Sequence, residues 1–509
     1  MLLSKKQKEQ GYVCILATLI WAFIAHGYYF TSHAFSHDSL MVASFQNQEW
    51  QISLGRYLMP VYRYFRGNIS TPWLIGICAI LFCAASVWLI VDMFQVYNKT
   101  YTILIAGIMM VNPVVIAQTA TYIPWLDIYM CSLFFAVFSI WCLQKFSWYR
   151  AIIAVLSLSI SMALYGSYIT VTVVLAMFYI MHLNYNKVSL SQMGIKILQM
   201  LAVVIAGAVL YFMVFKIVLY ATDIAVAASY NSIESAGDFS DVSVWSLLKR
   251  AWHIFFYRLS VGRNTHPGLV QVLYILLGVC FVVQSILCNM QTKHKALSVL
   301  YSTLVFLSLP WVTNSMFILS GGNVSHMLVQ YAMYFIGIAG ILFLHWQTET
   351  GSKALYVLQR ALKVTSIVSI CIVLWSFTVW GNGLYLKKRL AADHTDQFMA
   401  RALEHIEAYP GYVAGETPVV FTGNFLKSSA QGEVGQFDGM YNKATGFSSD
   451  TSLTHRNSYM NYFKYKSINI KLLENEEWYA YSEREDVQAM PIFPQKDSLQ
   501  MIDGVLVVN

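Results

Sequence analysis

The chain has 509 residues, a formal net charge of +7 and a mean hydropathy of +0.53, with 57% hydrophobic and only 12% charged residues. Soluble globular domains carry roughly 25% charged residues, so the composition excludes a soluble enzyme and points to a polytopic membrane protein. The basic surplus forms no run interleaved with aromatics, which sets nucleic-acid binding aside; basic loops are also how membrane proteins set their topology.

The apolar runs have the length of helices, roughly 17–25 residues each, not the roughly 10-residue alternation of a barrel strand. Those two structures are the only ones that satisfy the backbone in lipid. Residues 1–10 are a short basic start, and the long run after them lacks a small-residue cleavage site, so no cleavable signal is expected. Spans are predicted at 11–30, 72–95, 101–118, 127–144, 150–166, 168–183, 196–219, 268–288, 297–312, 326–345 and 364–383, about eleven transmembrane helices in all. The run from Ala151 to Leu183 is too long for one upright helix, and a tight hairpin at Tyr165-Gly166-Ser167-Tyr168 is expected to divide it.

A cytoplasmic N-terminus puts about 13 Lys and Arg in the inner segments and about 7 in the longer outer interspan loops, as the positive-inside trend requires. An odd number of spans then places the C-terminus outside. Lys387-Lys388-Arg389, directly after the last span, works against that placement, but long terminal domains cross regardless of such charges. The eight cysteines all lie in or beside apolar spans without metal-ligand spacing, and no disulfide framework is implied.

Three outer segments are long. The first, about 31–71, carries His37, Asp38, Glu49, Trp50, Gly55-Arg56-Tyr57 and Pro60. The second, about 220–267, contains Trp245, Leu248, Trp252, Phe255 and Phe256 at helical spacing, which predicts an amphipathic helix in the interface, followed by Arg258, Arg263 and His266. The third is the polar tail. Leu384 to Tyr409 reads as a helix stopped by Pro410-Gly411, and strands are expected at 417–423, 467–473 and 504–508. The expected organisation is a membrane domain at 1–384 and a small extracytoplasmic α/β domain at 385–509.

A proton-coupled transporter needs charges near the bilayer midplane, and the spans carry almost none. The polar candidates gather at the outer face: His37, Asp38, Arg56, Asp127, Arg258, Arg263, His266 and His326. Asp38 suits either a helix N-cap or a base; Asp127, in Tyr122-Ile123-Pro124-Trp125-Leu126-Asp127, suits either the first turn of a span or a second active-site acid. The arginines at the outer face run against the charge trend. Arg56, Arg258 and Arg263 suit a phosphate, which a guanidinium grips with two parallel bonds. Arg63 and Arg66 are read as surface groups that snorkel to headgroups. His37 either tunes Asp38 or solvates its loop. Trp50, Tyr57, Tyr122 and Trp125 suit stacking on sugars or an interfacial aromatic belt, and His266 and His326 complete the polar set.

One span, a long outer loop with an aspartate and a Gly-Arg-aromatic motif (Asp38, Gly55-Arg56-Tyr57, Pro60), then a short second outer loop with another aspartate (Asp127), resembles the GtrII-like bacterial glucosyltransferases, which modify O-antigen and related surface polymers. The resemblance covers about 1–385 and implies the polytopic GT-C class. It implies a polyprenyl-phosphate-linked sugar donor, most naturally of glucose, a surface glycopolymer acceptor, inversion at the anomeric carbon, and action at the outer face of the bacterial cytoplasmic membrane. Asp38 takes the role of base and Asp127 that of the second-loop acid. No metal or other cofactor is indicated, although some GT-C enzymes need a divalent ion. A flippase and a donor-lipid synthase are the implied partners. Two other classes share the build: a polymerase or ligase of lipid-linked oligosaccharide, which concentrates its key groups in one late loop such as 220–267, and a flippase or transporter of lipid-linked sugar.

Overall fold

The computed structural model describes residues 5–32, 34–35, 39–40, 49–68, 70–227, 243–260, 267–323, 326–347, 352–422, 453 and 456–509. The chain divides into two compact units. One comprises 1–30, 47–119 and 125–381; the other comprises 31–46, 120–124 and 382–509.

The first unit is a helical membrane bundle. Among the described residues, nine helical segments are long and apolar enough to cross a bilayer. The expectation of about eleven differs at two places. The predicted span 101–118 is broken into α5 (Lys99–Met110) and α6 (Pro113–Tyr122), and α6 continues through a short 3₁₀ turn into α7 (Leu126–Cys142). Asn112 makes the break. Its amide donates to the carbonyls of Ile108 and Met109 at 3.0 and 3.1 Å, and its oxygen accepts from Val114 and Val115 at 3.1 and 3.2 Å. One buried side chain thus caps the end of one helix and the start of the next, and Pro113 opens α6 where its missing N–H costs nothing.

The second difference is at Trp148–Tyr185, a single apolar segment of 38 residues interrupted at the place expected. Its two halves are α8 (Trp148–Tyr165) and α9 (Ile169–Tyr185). Tyr165 leaves the helical region (φ −158°, ψ 99°), and a 3₁₀ turn at Gly166–Tyr168 leads into α9. Ser132, on α7, donates to the carbonyls of Ser161 and Tyr165 at 2.8 and 3.2 Å, so the loosened helix end keeps its hydrogen bonds inside the bundle.

The remaining helices of this unit are α1 (Lys5–Thr31), α2 (Glu49–Ser53), α3 (Leu58–Phe65), α4 (Pro72–Met93), α10 (Leu190–Thr222), α11 (Val244–Ser260), α12 (Pro267–Asn289), α13 (Lys295–Thr313), α14 (Ser315–Leu319) and α15 (Phe335–Trp346). α7 packs between α4 and α8, and α10 lies against α8. In the apolar windows of Met327–Trp346 and Pro113–Cys142, 89% and 83% of residues are buried, against 22% for Leu190–Thr222, so these two segments lie inside the bundle and α10 on its outer side. α11 is the predicted amphipathic helix. Its buried stripe is Leu247, Ala251, Phe255 and Leu259, each one turn from the last, while Trp245 is exposed.

The predicted last span and the predicted helix after it are one continuous helix, α16 (Lys353–Glu407).

The second unit carries a four-stranded sheet in the order β2 (Lys471–Leu472), β1 (Pro418–Phe421), β4 (Val505–Val508), β3 (Leu499–Ile502). β1 is parallel to both β2 and β4, whereas β3 and β4 are antiparallel. β3 was not among the predicted strands. It joins β4 through Asp503-Gly504, both at positive φ (50° and 79°), a two-residue hairpin turn. β4 is buried along its whole length, and Phe421 stacks on Tyr459 at 4.8 Å in the core beneath.

Candidate active site

The Gly-Arg-Tyr motif folds as a turn between α2 and α3. Gly55 takes φ 79°, a left-handed conformation that a side chain strains, and its carbonyl accepts from Tyr211 Oη at 3.0 Å. Tyr57 stacks on Tyr211 and Phe215 at 5.8 and 6.2 Å and is 7% exposed. Its ring belongs to the apolar packing that holds the turn, and it is not offered to a sugar. Arg56, between them, is half-buried. Its guanidinium lies 4.9 Å from the Tyr165 ring centroid, and Nη1 donates to Gln51 Oε1 at 3.4 Å. It makes no ion pair among the described residues.

One turn further, α3 delivers a buried charge cluster that the sequence reading assigned to the surface. Arg66 Nη1 meets Asp127 Oδ1 at 2.5 Å, with side-chain exposures of 4% and 0%. Tyr62 Oη donates to Asp127 Oδ2 at 3.1 Å, and the Ile128 amide donates to Oδ1 at 3.0 Å. Arg63 is 3% exposed, its guanidinium 5.3 Å from the Trp125 ring centroid, and its Nε and Nη2 are buried without a hydrogen-bond partner among the described residues. Burial and the neighbouring Arg66 charge lower its pKa to about 10, against the opposing pull of Asp127, so it stays charged at neutral pH in a place where charge is costly. Burial, and next the Asp127 charge, push the Tyr62 hydroxyl up, which keeps it a neutral donor. The snorkelling expected of Arg63 and Arg66 is therefore corrected: both side chains turn inward, because Asp127 at the head of α7 offers Arg66 a carboxylate and Trp125 offers Arg63 a ring face.

Among the described residues the cluster holds two cations, Arg63 and Arg66, and the carboxylate of Asp127. Asp127 is fully engaged by Arg66, Tyr62 and Ile128, which makes it the anchor of Arg66. Arg63 is buried beside that pair and makes no ion pair of its own among the described residues.

The other predicted site residues are placed as follows. Trp125 is buried under Arg63, and Trp50 is 43% exposed. Tyr122 is buried and belongs to the second unit. Arg258 sits in the last turn of α11. His326 Nδ1 accepts from the Leu328 amide at 3.2 Å and so caps the 3₁₀ helix Met327–Tyr334. Asp38, His37, Arg263 and His266 lie outside the described residues. Tyr62, Arg63 and Arg66 were missed as site residues, although Tyr62 and Arg63 stand four and three residues before Arg66, the C-cap of α3, spacings that bring helical side chains together.

Residues 27–344, more than half of the chain, match the family model described as glucosyl transferase GtrII. The chain belongs to the GtrII glucosyltransferase family. No curated protein and no solved structure matches it. For a GtrII glucosyltransferase the matched region has a clear content: it begins in α1, takes in the Gly55-Arg56-Tyr57 turn, the Arg63–Arg66–Asp127 cluster and α11, and ends in α15.

Proposed function

We propose that this GtrII glucosyltransferase moves glucose from a polyprenyl-phosphate donor to a cell-surface glycopolymer at the outer face of the cytoplasmic membrane, with inversion at the anomeric carbon and a GT-C-like bundle as its scaffold. The observation that supports this reading most is Arg63, buried with two guanidinium nitrogens unbonded among the described residues. A buried cation with unmet hydrogen bonds is costly, and a phosphate ester entering beside it relieves that cost with charge-assisted hydrogen bonds. Arg56, lying on an aromatic ring without an ion pair among the described residues, is a second phosphate ligand in this reading, and Arg258, in the last turn of α11, and Arg263 complete the set.

The chemistry then runs as a single displacement. The acceptor hydroxyl oxygen attacks the anomeric carbon while Asp38 takes its proton. The bond from that carbon to the phosphate oxygen breaks, and polyprenyl phosphate leaves with the electron pair. Positive charge builds on the sugar ring, as in glycoside hydrolysis, and negative charge builds on the phosphate, where the arginines meet it. Asp127 positions Arg66 and, through the shared helix face, Arg63. Trp50, 43% exposed, is the aromatic this reading assigns to an acceptor sugar.

The test is sugar analysis of the surface polymer from a strain lacking the protein and from complemented strains. The wild-type chain restores the glucose substituent. Asp38→Asn, present in the membrane at the normal level, lowers transfer by about 10²–10⁴-fold, the range for loss of a general base. Normal glucosylation by Asp38→Asn removes that residue from the mechanism, and unchanged polymer in the deleted strain removes the function.

A further inference from the structure

The second unit takes in more than the C-terminal chain: Thr31–Gln46 and Ala120–Pro124 belong to it as well. The first of these segments carries Asp38, which lies outside the described residues and falls between Phe35 and Leu40 in the sequence. Phe35 is 5% exposed and Leu40 is fully buried. Both belong to the hydrophobic core of the α/β domain, together with Met399 of α16, Val420 of β1 and Val508 of β4. A connecting segment that merely ran over the surface would leave such side chains in water. These two are apolar anchors sunk into a folded domain, one three residues before Asp38 and the other two residues after it.

Phe35 sits among oriented groups. Its ring meets Tyr462 and Tyr465, both on α17 (Arg456–Tyr465), edge-on at centroid distances of 5.8 and 6.2 Å. Lys466, the next residue, holds its Nζ 5.5 Å from the Phe35 centroid and 5.8 and 5.7 Å from the centroids of Tyr462 and Tyr465. Asp396 of α16 fixes the ammonium there: Lys466 Nζ donates to Asp396 Oδ2 at 2.7 Å, and Tyr462 Oη donates to Oδ1 at 2.8 Å. One carboxylate thus holds both the cation over Phe35 and one of the rings beside it. A network of this kind orients the anchor as well as burying it. The family match ends at residue 344, before 382–509, so these groups come from a part of the chain that the family model does not cover.

A general base works only when held within hydrogen-bond reach of the hydroxyl it deprotonates, and a displacement of about 1 Å costs up to about 10²-fold in rate. We propose that the C-terminal α/β domain positions the Asp38 segment, with Phe35 and Leu40 as its anchors and Asp396, Tyr462 and Lys466 as positioning residues. The inference rests on Asp38 as the base of the functional reading and adds the part of the chain that holds it.

The experiment pairs hydrogen exchange with transfer kinetics on the full chain in nanodiscs. Lys466→Met keeps the hydrocarbon stem and removes the ammonium; Phe35→Leu keeps an apolar anchor and removes the ring. Each is expected to speed amide exchange in peptides covering Phe35 and Leu40 by roughly tenfold or more, while β1 and β4 keep wild-type protection. Glucose transfer falls about ten- to a hundredfold in kcat, with the KM for the donor unchanged. Lys466→Arg, which keeps the charge, restores both readings. In an Asp38→Asn background neither substitution slows the residual transfer further, because the group being positioned is gone. Tyr462→Phe, which removes only the hydroxyl on Asp396, gives a smaller change of the same kind and serves where a larger change prevents folding. Arg484→Ala, which breaks exposed ion pairs with Asp486 and Asp503 in the same domain, leaves both readings at the wild-type level. Wild-type exchange around Phe35 and Leu40 in the folded variants overturns the proposal. So does a loss of kcat that is as large in the Asp38→Asn background, and so does an equal loss in Arg484→Ala, which makes the effect one of domain stability. Because hydrogen exchange needs no sugar, it reports on the anchoring alone. Transfer by the wild-type chain reports on the functional reading, so either can fail without the other.

Discussion

Arg63, in the last turn of α3, and Arg66, which caps that helix, stand three residues apart, and the structure gives them opposite energetics. Arg66 is half of a buried ion pair with Asp127. Its replacement by alanine leaves a fully buried carboxylate unpaired and is expected to cost about 3–5 kcal/mol of stability, seen as a lower melting temperature in detergent. Arg63 is a desolvated cation with two nitrogens unbonded among the described residues. Arg63→Ala is therefore expected to leave stability equal or higher, yet to lower kcat/KM by roughly ten- to a hundredfold, the worth of about 1.5–3 kcal/mol of charge-assisted bonding to phosphate. Thermal melts and transfer assays on the two variants check the contrast; a destabilised Arg63→Ala with normal kinetics would make Arg63 a structural residue. Asp127 was legible in the sequence as a carboxylate at the head of an apolar span. Arg66 was not, because its partner is 61 residues away and only the packing of α3 against the start of α7 brings them together. The positive-inside trend also argued misleadingly: it marked the outer arginines as exceptions but said nothing about which of them turn inward.

Helices and their breaks account for most of what the chain does locally. The spans were legible because long apolar runs in lipid leave the backbone no alternative to a helix. The interruption at Tyr165–Tyr168 was legible from length alone. The one at Asn112-Pro113 was written in the sequence as a turn-forming dipeptide, but the apolar run through it masked the signal. Asn112→Ala is expected to remove the caps from two helix ends at once and to cost about 1–3 kcal/mol by leaving buried amides and carbonyls unpaired, with no change in the number of spans. A melting temperature equal to that of the wild type would show that the break does not depend on this side chain. In the second unit, β1 and β4 were legible as β-branched runs. β3 was hidden by its alternation with Gln500 and by the polar stretch before it, although Asp503-Gly504 is a strong hairpin dipeptide. In α11 the helical periodicity was legible, and the structure adds which face turns inward: the buried stripe runs through Leu247, Ala251, Phe255 and Leu259, and Trp245 is exposed.

At the scale of the whole molecule, composition settled the class, and the family match over 27–344 settled the chemistry to the level of a glucosyltransferase. The polar groups of the bundle follow the same logic. Ionisable side chains are costly in a membrane, and in the proposed function the buried cluster at the head of α7 and Arg258 on the amphipathic α11 are assigned to a lipid phosphate. The most direct measurement is transfer from polyprenyl-phosphate-linked radiolabelled glucose to surface polymer by membranes containing the chain. The account predicts that label passes from lipid to polymer with the wild type, at a rate reduced by Arg63→Ala and nearly abolished by Asp38→Asn. Label that stays on the lipid, while glucose from a nucleotide sugar reaches the polymer through this chain without a lipid intermediate, would contradict it.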